Sequence, residues 1–294
     1  MSVNAVAVER STQAIKWDKT EEWDKEDVEA LLHYFTPSGE KPYRYNYPPP
    51  ANARESNAEH QPHRVSIQNL RPIATTLSLE EQGGLLVASR SAVNDFYHDE
   101  EVRNTYYRES ERVIAQATGA KRIFVFDHTR RRREAALSDT GGTQLRREPV
   151  TRVHNDYTVR SGPQRVRDLL PEEAARLLQG RFAIINLWRP IRGPLQDAPL
   201  AFCDASSVAF EDFVPMDLLY PNRVGETYLV KFNRAHRWYY VPRMQSDEAL
   251  LIKSYDSAAD GRARFTPHSA FEDPTAPADR LPRESIELRA LAFY

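Results

Sequence analysis

The chain has 294 residues, 40 Lys and Arg against 42 Asp and Glu, and a formal charge of −2. A chain of this length buries about 75% of its unfolded surface, enough for one large domain or a domain with an arm, and the near-neutral balance argues against a general nucleic-acid binder. Its one cysteine, Cys203, excludes an intramolecular disulfide and a Cys-based zinc cluster. Met1 to Arg10 carry no signal-peptide core, and no apolar run is long enough to cross a bilayer. The expectation is a soluble cytoplasmic protein with no membrane partner.

Residues 1–64 are expected to form an N-terminal arm packed on the body. Val28, Leu31, Leu32 and Phe35 follow the spacing of one helical face, with acidic residues ahead of them, so a short helix is predicted from Asp24 to His33. Pro37 and Gly39 end it. Tyr43, Tyr45 and Tyr47 alternate before Pro48-Pro49-Pro50, which predicts an extended segment lying on a surface. Those tyrosines suit arm packing, a substrate entrance or the seal of a homodimer. His60 and His63 are expected in a solvated loop.

Residues 65–294 are expected to form the folded body. Ser78-Leu79-Glu80-Glu81 has capping-box form, but Gly83-Gly84 follow at once, so any helix there is short or broken. Ser91 to Ala117 has helical spacing, with Gly119 as its stop. Arg122 to His128 reads as a buried strand, on which Asp127 and His128 face opposite ways. Arg130-Arg131-Arg132-Arg133 reads as a solvated loop or strand end. Ser138 to Gln144, with Gly141-Gly142, reads as a loop. Ser161 to Leu178 reads as a helical insert. Strands are predicted at 182–188, 200–204, 227–232, 237–241, 249–255 and 285–293. Many strands and few helices make the fold class mainly β with flanking helices, a sandwich or barrel.

The chemistry centres on Val153-His154-Asn155-Asp156-Tyr157-Thr158. On a strand, His154 and Asp156 share a face and can converge on one ion. A later histidine would complete a two-His, one-carboxylate triad of the kind that suits non-haem Fe(II). His236, beside Trp238, reads better as a hydrogen-bonded core residue. His268 is preferred because Arg283-Glu284-Ser285 follows. An arginine fork binds a carboxylate bidentately, and a serine two residues on adds a hydroxyl from the same strand face. That pair suits the distal carboxylate of 2-oxoglutarate, with Arg289 on the same face as the reserve.

His154-x-Asp156, His268 and Arg283-x-Ser285 together resemble the Fe(II)/2-oxoglutarate-dependent oxygenases. Further phrases resemble one branch, the CmcJ-like and fungal gibberellin-desaturase-like oxidoreductases of secondary metabolism. They are Ile185-Asn186-Leu187-Trp188-Arg189-Pro190, Pro199 to Asp204, His236 to Tyr240, Lys253-Ser254-Tyr255-Asp256-Ser257 and Pro267 to Phe271. The resemblance covers roughly residues 65–294. It implies a double-stranded β-helix (jelly-roll, cupin-like) core, with Fe(II) and 2-oxoglutarate as cofactors and O2 and a small metabolite as substrates. It also implies hydroxylation, desaturation or an oxidative rearrangement, since the related halogenases lack the carboxylate that Asp156 supplies. Asn186, Trp188, Lys253, Tyr255 and Asp256 are candidate pocket residues. Two other readings stand beside it: a β-barrel binding protein without chemistry, and an iron enzyme that does not use 2-oxoglutarate.

Overall fold

The computed structural model describes residues 27–133 and 148–294; the predicted loop at Ser138–Gln144 lies outside the described residues. In chain order the first strands are β1 (Val28–Thr36), β2 (Tyr43–Tyr45), β3 (Glu59–Asn69) and β4 (Gly84–Ala88). A helical stretch follows, made of α1 (Asp99–Glu101), a π-helical turn at Val102–Tyr106 and α2 (Tyr107–Thr118). Next come β5 (Arg122–Arg132), β6 (His154–Asn155), α3 (Ser161–Leu169) and α4 (Ala174–Leu177). The remaining strands are β7 (Phe182–Pro190), β8 (Leu200–Cys203), β9 (Phe213–Tyr220), β10 (Arg223–Val230), β11 (Trp238–Tyr240), β12 (Glu248–Asp256), β13 (His268–Ala270) and β14 (Glu284–Phe293).

These strands make two sheets. The larger has nine strands in the order β1-β3-β11-β8-β13-β6-β10-β9-β2, and the smaller has five in the order β4-β12-β7-β14-β5. The out-of-sequence order is the crossover pattern of a jelly roll, as expected. β7 shows how the layers are organised. All nine of its residues are buried, which requires cover on both faces. Ala183, Ile185 and Leu187 point outward and pack with Val102, Tyr106 and Ile114 of the helical layer. Ile184, Asn186 and Trp188 point inward, between the sheets. Burying each such aliphatic side chain contributes about 1.5–3 kcal/mol, so β7 is a main anchor of the fold.

α2 ends where its sequence says it should. Gly119 sits at φ +69°, and its N–H bonds the Ala115 carbonyl at 2.9 Å. A side chain at that φ is strained, so glycine is the favoured stop. Gly84 serves a different purpose: a Cβ there would overlap the Phe202 ring, so its absence lets β4 approach β8 of the other sheet.

The N-terminal segment differs from the helix predicted for 24–33. Residues 28–36 are the strand β1, paired antiparallel with β3 along its whole length. Of the residues that fit a helical face, only Val28 and Leu32 share the inward face of the strand, where they and Ala30 and Tyr34 bury against Ile67, Val153 and Trp238; Leu31 is exposed, and Phe35 packs on the other side with Met216 and Leu229. His60 and His63 lie on β3, not in a loop, and β2 is extended as predicted. The segment at Ser78 is a turn, with the Glu81 N–H bonded to Ser78 Oγ at 3.1 Å. The arginine run is not solvated at its start. Arg130 is buried at the end of β5, where it pairs with Asp99 at 2.8 Å.

Candidate functional site

β6 is two residues long, yet the larger sheet holds it on both sides. Tyr228 and Leu229 of β10 pair with Asn155 and His154, and His268 of β13 pairs directly with His154. Strand alternation sends the side chain of Asn155 away from those of His154 and Asp156. There Asn155 is fully buried and tied to three partners. Its Nδ2 donates to the Tyr157 and Ser254 carbonyls at 2.7 and 2.9 Å, and its Oδ1 accepts from the Thr266 N–H at 3.0 Å. This anchor fixes the backbone that presents His154 and Asp156.

The cross-strand pairing sets the His154 and His268 rings side by side, tilted at 56° with centroids 4.5 Å apart. Each ring donates Nδ1–H to a backbone carbonyl two residues earlier: His154 to Arg152 at 2.9 Å and His268 to Thr266 at 3.1 Å. With Nδ1 so engaged, the lone pair of each neutral ring sits on Nε2. Burial, and then the neighbouring His154, push His268 down to about 4, so it is neutral at physiological pH. Asp156 follows β6, with Oδ1 3.6 Å from His154 Nε2. Burial alone would raise its pKa; the neighbouring His154, His268 and Arg289 outweigh that and hold it well below the carboxylate range. Its Oδ2 accepts from Asn186 Nδ2 at 2.7 Å. One ligand atom from each of His154, Asp156 and His268 lies within 4.8 Å of the others, so this group could hold a metal ion. Two imidazole nitrogens and one ionised carboxylate fit Fe(II). His236 lies outside the group, bonded to Tyr34 and Asp212 at 3.1 Å each.

Ser285, Glu287 and Arg289 alternate along β14 on the face opposite Ile286 and Leu288, and Arg283 immediately precedes the strand. The Arg283 guanidinium is buried. Its Nε donates to Ser285 Oγ at 3.0 Å, its Nη1 to the Ala198 carbonyl at 2.7 Å, and it lies 4.9 Å from the Trp188 ring centroid. Among the described residues no carboxylate pairs with it. Burial, and next the Arg131 cation, push it down to about 9. A buried cation with a free face and a hydroxyl beside it is a ready receptor for an incoming carboxylate. Arg289 is already committed, at 2.7 Å to Asp127 and 3.5 Å to Glu287.

The five candidate pocket residues divide. Asn186 and Trp188 lie at the site, against Asp156 and Arg283. Tyr255 is a core aromatic, 5.2 Å from Phe182 and 5.9 Å from Phe265 between ring centroids. Lys253 and Asp256 are opposite β7 residues that face outward. They bond each other at 3.0 Å and tie in Glu80 and Arg181. The bulge between Lys253 and Tyr255 puts Tyr255 inward and leaves the two charged residues outside. Sequence reasoning missed Glu287, whose carboxyl is raised by burial and then by Asp156. It also missed a cavity of about 630 Å³ beside Asp156, between α3 and the β9–β10 hairpin. Only the shared face of β14 hinted at Glu287, and nothing local hinted at the cavity.

Comparison with known proteins bears on this arrangement. A family model described as an oxidoreductase/YMDC permease-like domain matches residues 32–293. The hydroxylase/desaturase efuI of Hormonema carpetanum is 34% identical over 78% of this chain and 83% of its own. The alpha-ketoglutarate-dependent dioxygenase phiK of a fungal species is 33% identical over 91% of this chain and 96% of its own. A solved structure of the iron and alpha-ketoglutarate-dependent endoperoxidase NvfI superposes with a TM-score of 0.83 at 28% identity, over 92% of this chain and 98% of that one. Among the described residues no helix is long and apolar enough to cross a membrane. The chain belongs to the Fe(II)/2-oxoglutarate-dependent dioxygenases that include these fungal hydroxylase/desaturases.

Proposed function

We propose that His154, Asp156 and His268 hold the iron, that Arg283 and Ser285 hold the distal carboxylate of 2-oxoglutarate, and that a small secondary metabolite is oxidised in the cavity beside Asp156. The observation that carries this is the pairing of two features. Two imidazoles have their Nε2 lone pairs free beside a carboxylate, and a buried guanidinium has no carboxylate of its own among the described residues. The cofactors, when bound, supply the oxidising chemistry, in which O2 is consumed, 2-oxoglutarate becomes succinate and CO2, and the metabolite is oxidised.

The chain's own residues supply geometry. Backbone acceptors at Arg152 and Thr266 fix both imidazole tautomers, and Asn186 orients the Asp156 carboxylate. Asp156 would give the iron a carboxylate ligand of the kind that the related halogenases lack, which directs the reading to hydroxylation, desaturation or rearrangement. Trp188 covers the Arg283 guanidinium and keeps water from it. In the same reading residues 65–294 are the catalytic body, and residues 1–64 are an arm whose β1, β2 and the start of β3 are anchored in the larger sheet. The test is anaerobic titration of metal-free protein with Fe(II), then with 2-oxoglutarate, followed by admission of O2. One iron per chain and succinate release that needs 2-oxoglutarate are expected. An intact fold that takes up no iron would refute the proposed ligand set.

A further inference from the structure

The cavity beside Asp156 is polar for a site that takes an organic metabolite. Four arginines line it: Arg160, Arg165, Arg223 and Arg289. Two are spoken for. Arg160 pairs with Asp217 at 3.4 Å and Glu226 at 3.0 Å, and Arg289 pairs with Asp127 at 2.7 Å. The other two have no carboxylate among the described residues. Arg165 projects from α3, with its guanidinium 5.3 Å from the Phe126 ring centroid and next to the Tyr157 phenol. Arg223 lies on the β10 wall, stacked 3.9 Å from the Tyr220 ring centroid.

The acids of the cavity do not answer these cations. Asp168 accepts from Gln164 at 2.7 Å. Glu226 accepts from Thr158 Oγ1 at 2.6 Å and carries Arg160. Asp156 faces the histidines and Asn186. Counted over the lining, four arginines face three carboxylates, so the cavity carries net positive charge, and its two arginines without an ion pair stand on two walls. A partly desolvated guanidinium without an anion costs stability, and a stacked one is pre-set for bidentate binding of a carboxylate.

We infer that the substrate is a small carboxylic acid whose carboxylate is clamped by Arg165, with Arg223 assisting at the outer wall, and whose carbon skeleton extends toward Asp156. The inference rests on the metal-site reading above and adds the substrate's chemical class. Arg165 is a specificity-determining residue in this assignment, separate from Arg283, which serves the co-substrate.

The probes are 2-naphthoate and its uncharged analogue 2-naphthamide, titrated calorimetrically without O2. Saturating Fe(II) and 2-oxoglutarate are present, so that Arg283 is occupied. Naphthoate is expected to bind at least about tenfold tighter than the amide, the scale of one charge-assisted contact. The preference should vanish in Arg165→Gln, survive in part in Arg165→Lys, and shrink less in Arg223→Gln. Naphthoate binding should also weaken with added salt while amide binding does not. A ratio below threefold in the wild type, including no binding of either probe, overturns the inference, as does a preference that survives Arg165→Gln. Iron and 2-oxoglutarate loading are measured in the same samples. A failure to load counts against the metal-site reading; the ratio is then read in Arg283→Gln, which lacks that second carboxylate receptor, and still decides the role of Arg165.

Discussion

On the proposed assignment, replacing Arg283 should separate co-substrate binding from metal binding. The guanidinium is buried, fixed by Ser285 and the Ala198 carbonyl, and covered by Trp188. In Arg283→Ala the distal carboxylate of 2-oxoglutarate would be buried opposite a void. Breaking one side of a buried charged pair costs about 3–5 kcal/mol, and each 1.4 kcal/mol is roughly tenfold. The 2-oxoglutarate requirement should therefore rise by about two to three and a half orders of magnitude. Ser285→Ala removes one hydroxyl and should cost about 0.5–1.5 kcal/mol, less than about fifteenfold. Arg289→Ala is the control on the same strand face. It loses the Asp127 pair but should leave the 2-oxoglutarate requirement within about threefold, the scale of an exposed ion pair. The assay is succinate release against 2-oxoglutarate concentration at saturating Fe(II), with iron stoichiometry measured in each variant. The metal-free state offers a second readout. Burial that pushes Arg283 down to about 9 is a cost that a dianionic ligand relieves, so 2-oxoglutarate should raise the Tm of the wild type and not of Arg283→Ala. If Arg289→Ala is crippled and Arg283→Ala is normal, the Arg-x-Ser assignment is wrong.

The remaining predictions test the metal centre and the core. His154→Ala and His268→Ala should each abolish stoichiometric Fe(II) binding with the far-UV circular dichroism unchanged. His236→Ala should keep its iron and lose about 1–3 kcal/mol in denaturant titration, because the buried Tyr34 hydroxyl and the Asp212 carboxylate each lose a partner; iron loss in His236→Ala alone would exchange the roles of the two histidines. Asn186→Ala frees the Asp156 carboxylate and should weaken Fe(II) affinity by about 10–100-fold, the usual effect of losing a ligand's hydrogen-bond partner; unchanged affinity would show that Asp156 needs no such support. Cys203 is fully buried, and burial pushes its thiol up to about 12. A thiol reagent at pH 8, well below that value, should find no reactive thiol in the native protein and one per chain after denaturation, and fast native-state labelling would mean that the sheet around β8 opens locally.

Much of the site was legible because strand chemistry is local. A two-residue alternation put His154 beside Asp156 and Arg283 beside Ser285 in the sequence itself, and cross-strand pairing then set His268 against His154. What the sequence hid depends on which face a residue takes. Val28, Leu31, Leu32 and Phe35 suit a helical face, but pairing with β3 makes the segment a strand, which buries the alternate set Val28, Ala30, Leu32 and Tyr34 and leaves Leu31 exposed. Lys253 and Asn186 carried equal weight as pocket candidates, yet one faces an ion network outside the smaller sheet and the other bonds a proposed iron ligand. The bulge between Lys253 and Tyr255 sets that division, and a bulge has no residue signature of its own when no glycine marks it. The cavity was beyond reach for another reason. Its walls come from α3 and the β9–β10 hairpin, about 50 residues apart, and β9 was not predicted at all. Arg165 and Arg223 read singly as surface residues of a charged chain. Their meaning comes from what their neighbours already bind. Asp217 and Glu226 are taken by Arg160, and Asp127 by Arg289. Two guanidinia thus remain, facing the cavity that opens beside Asp156, to recognise an acid from outside.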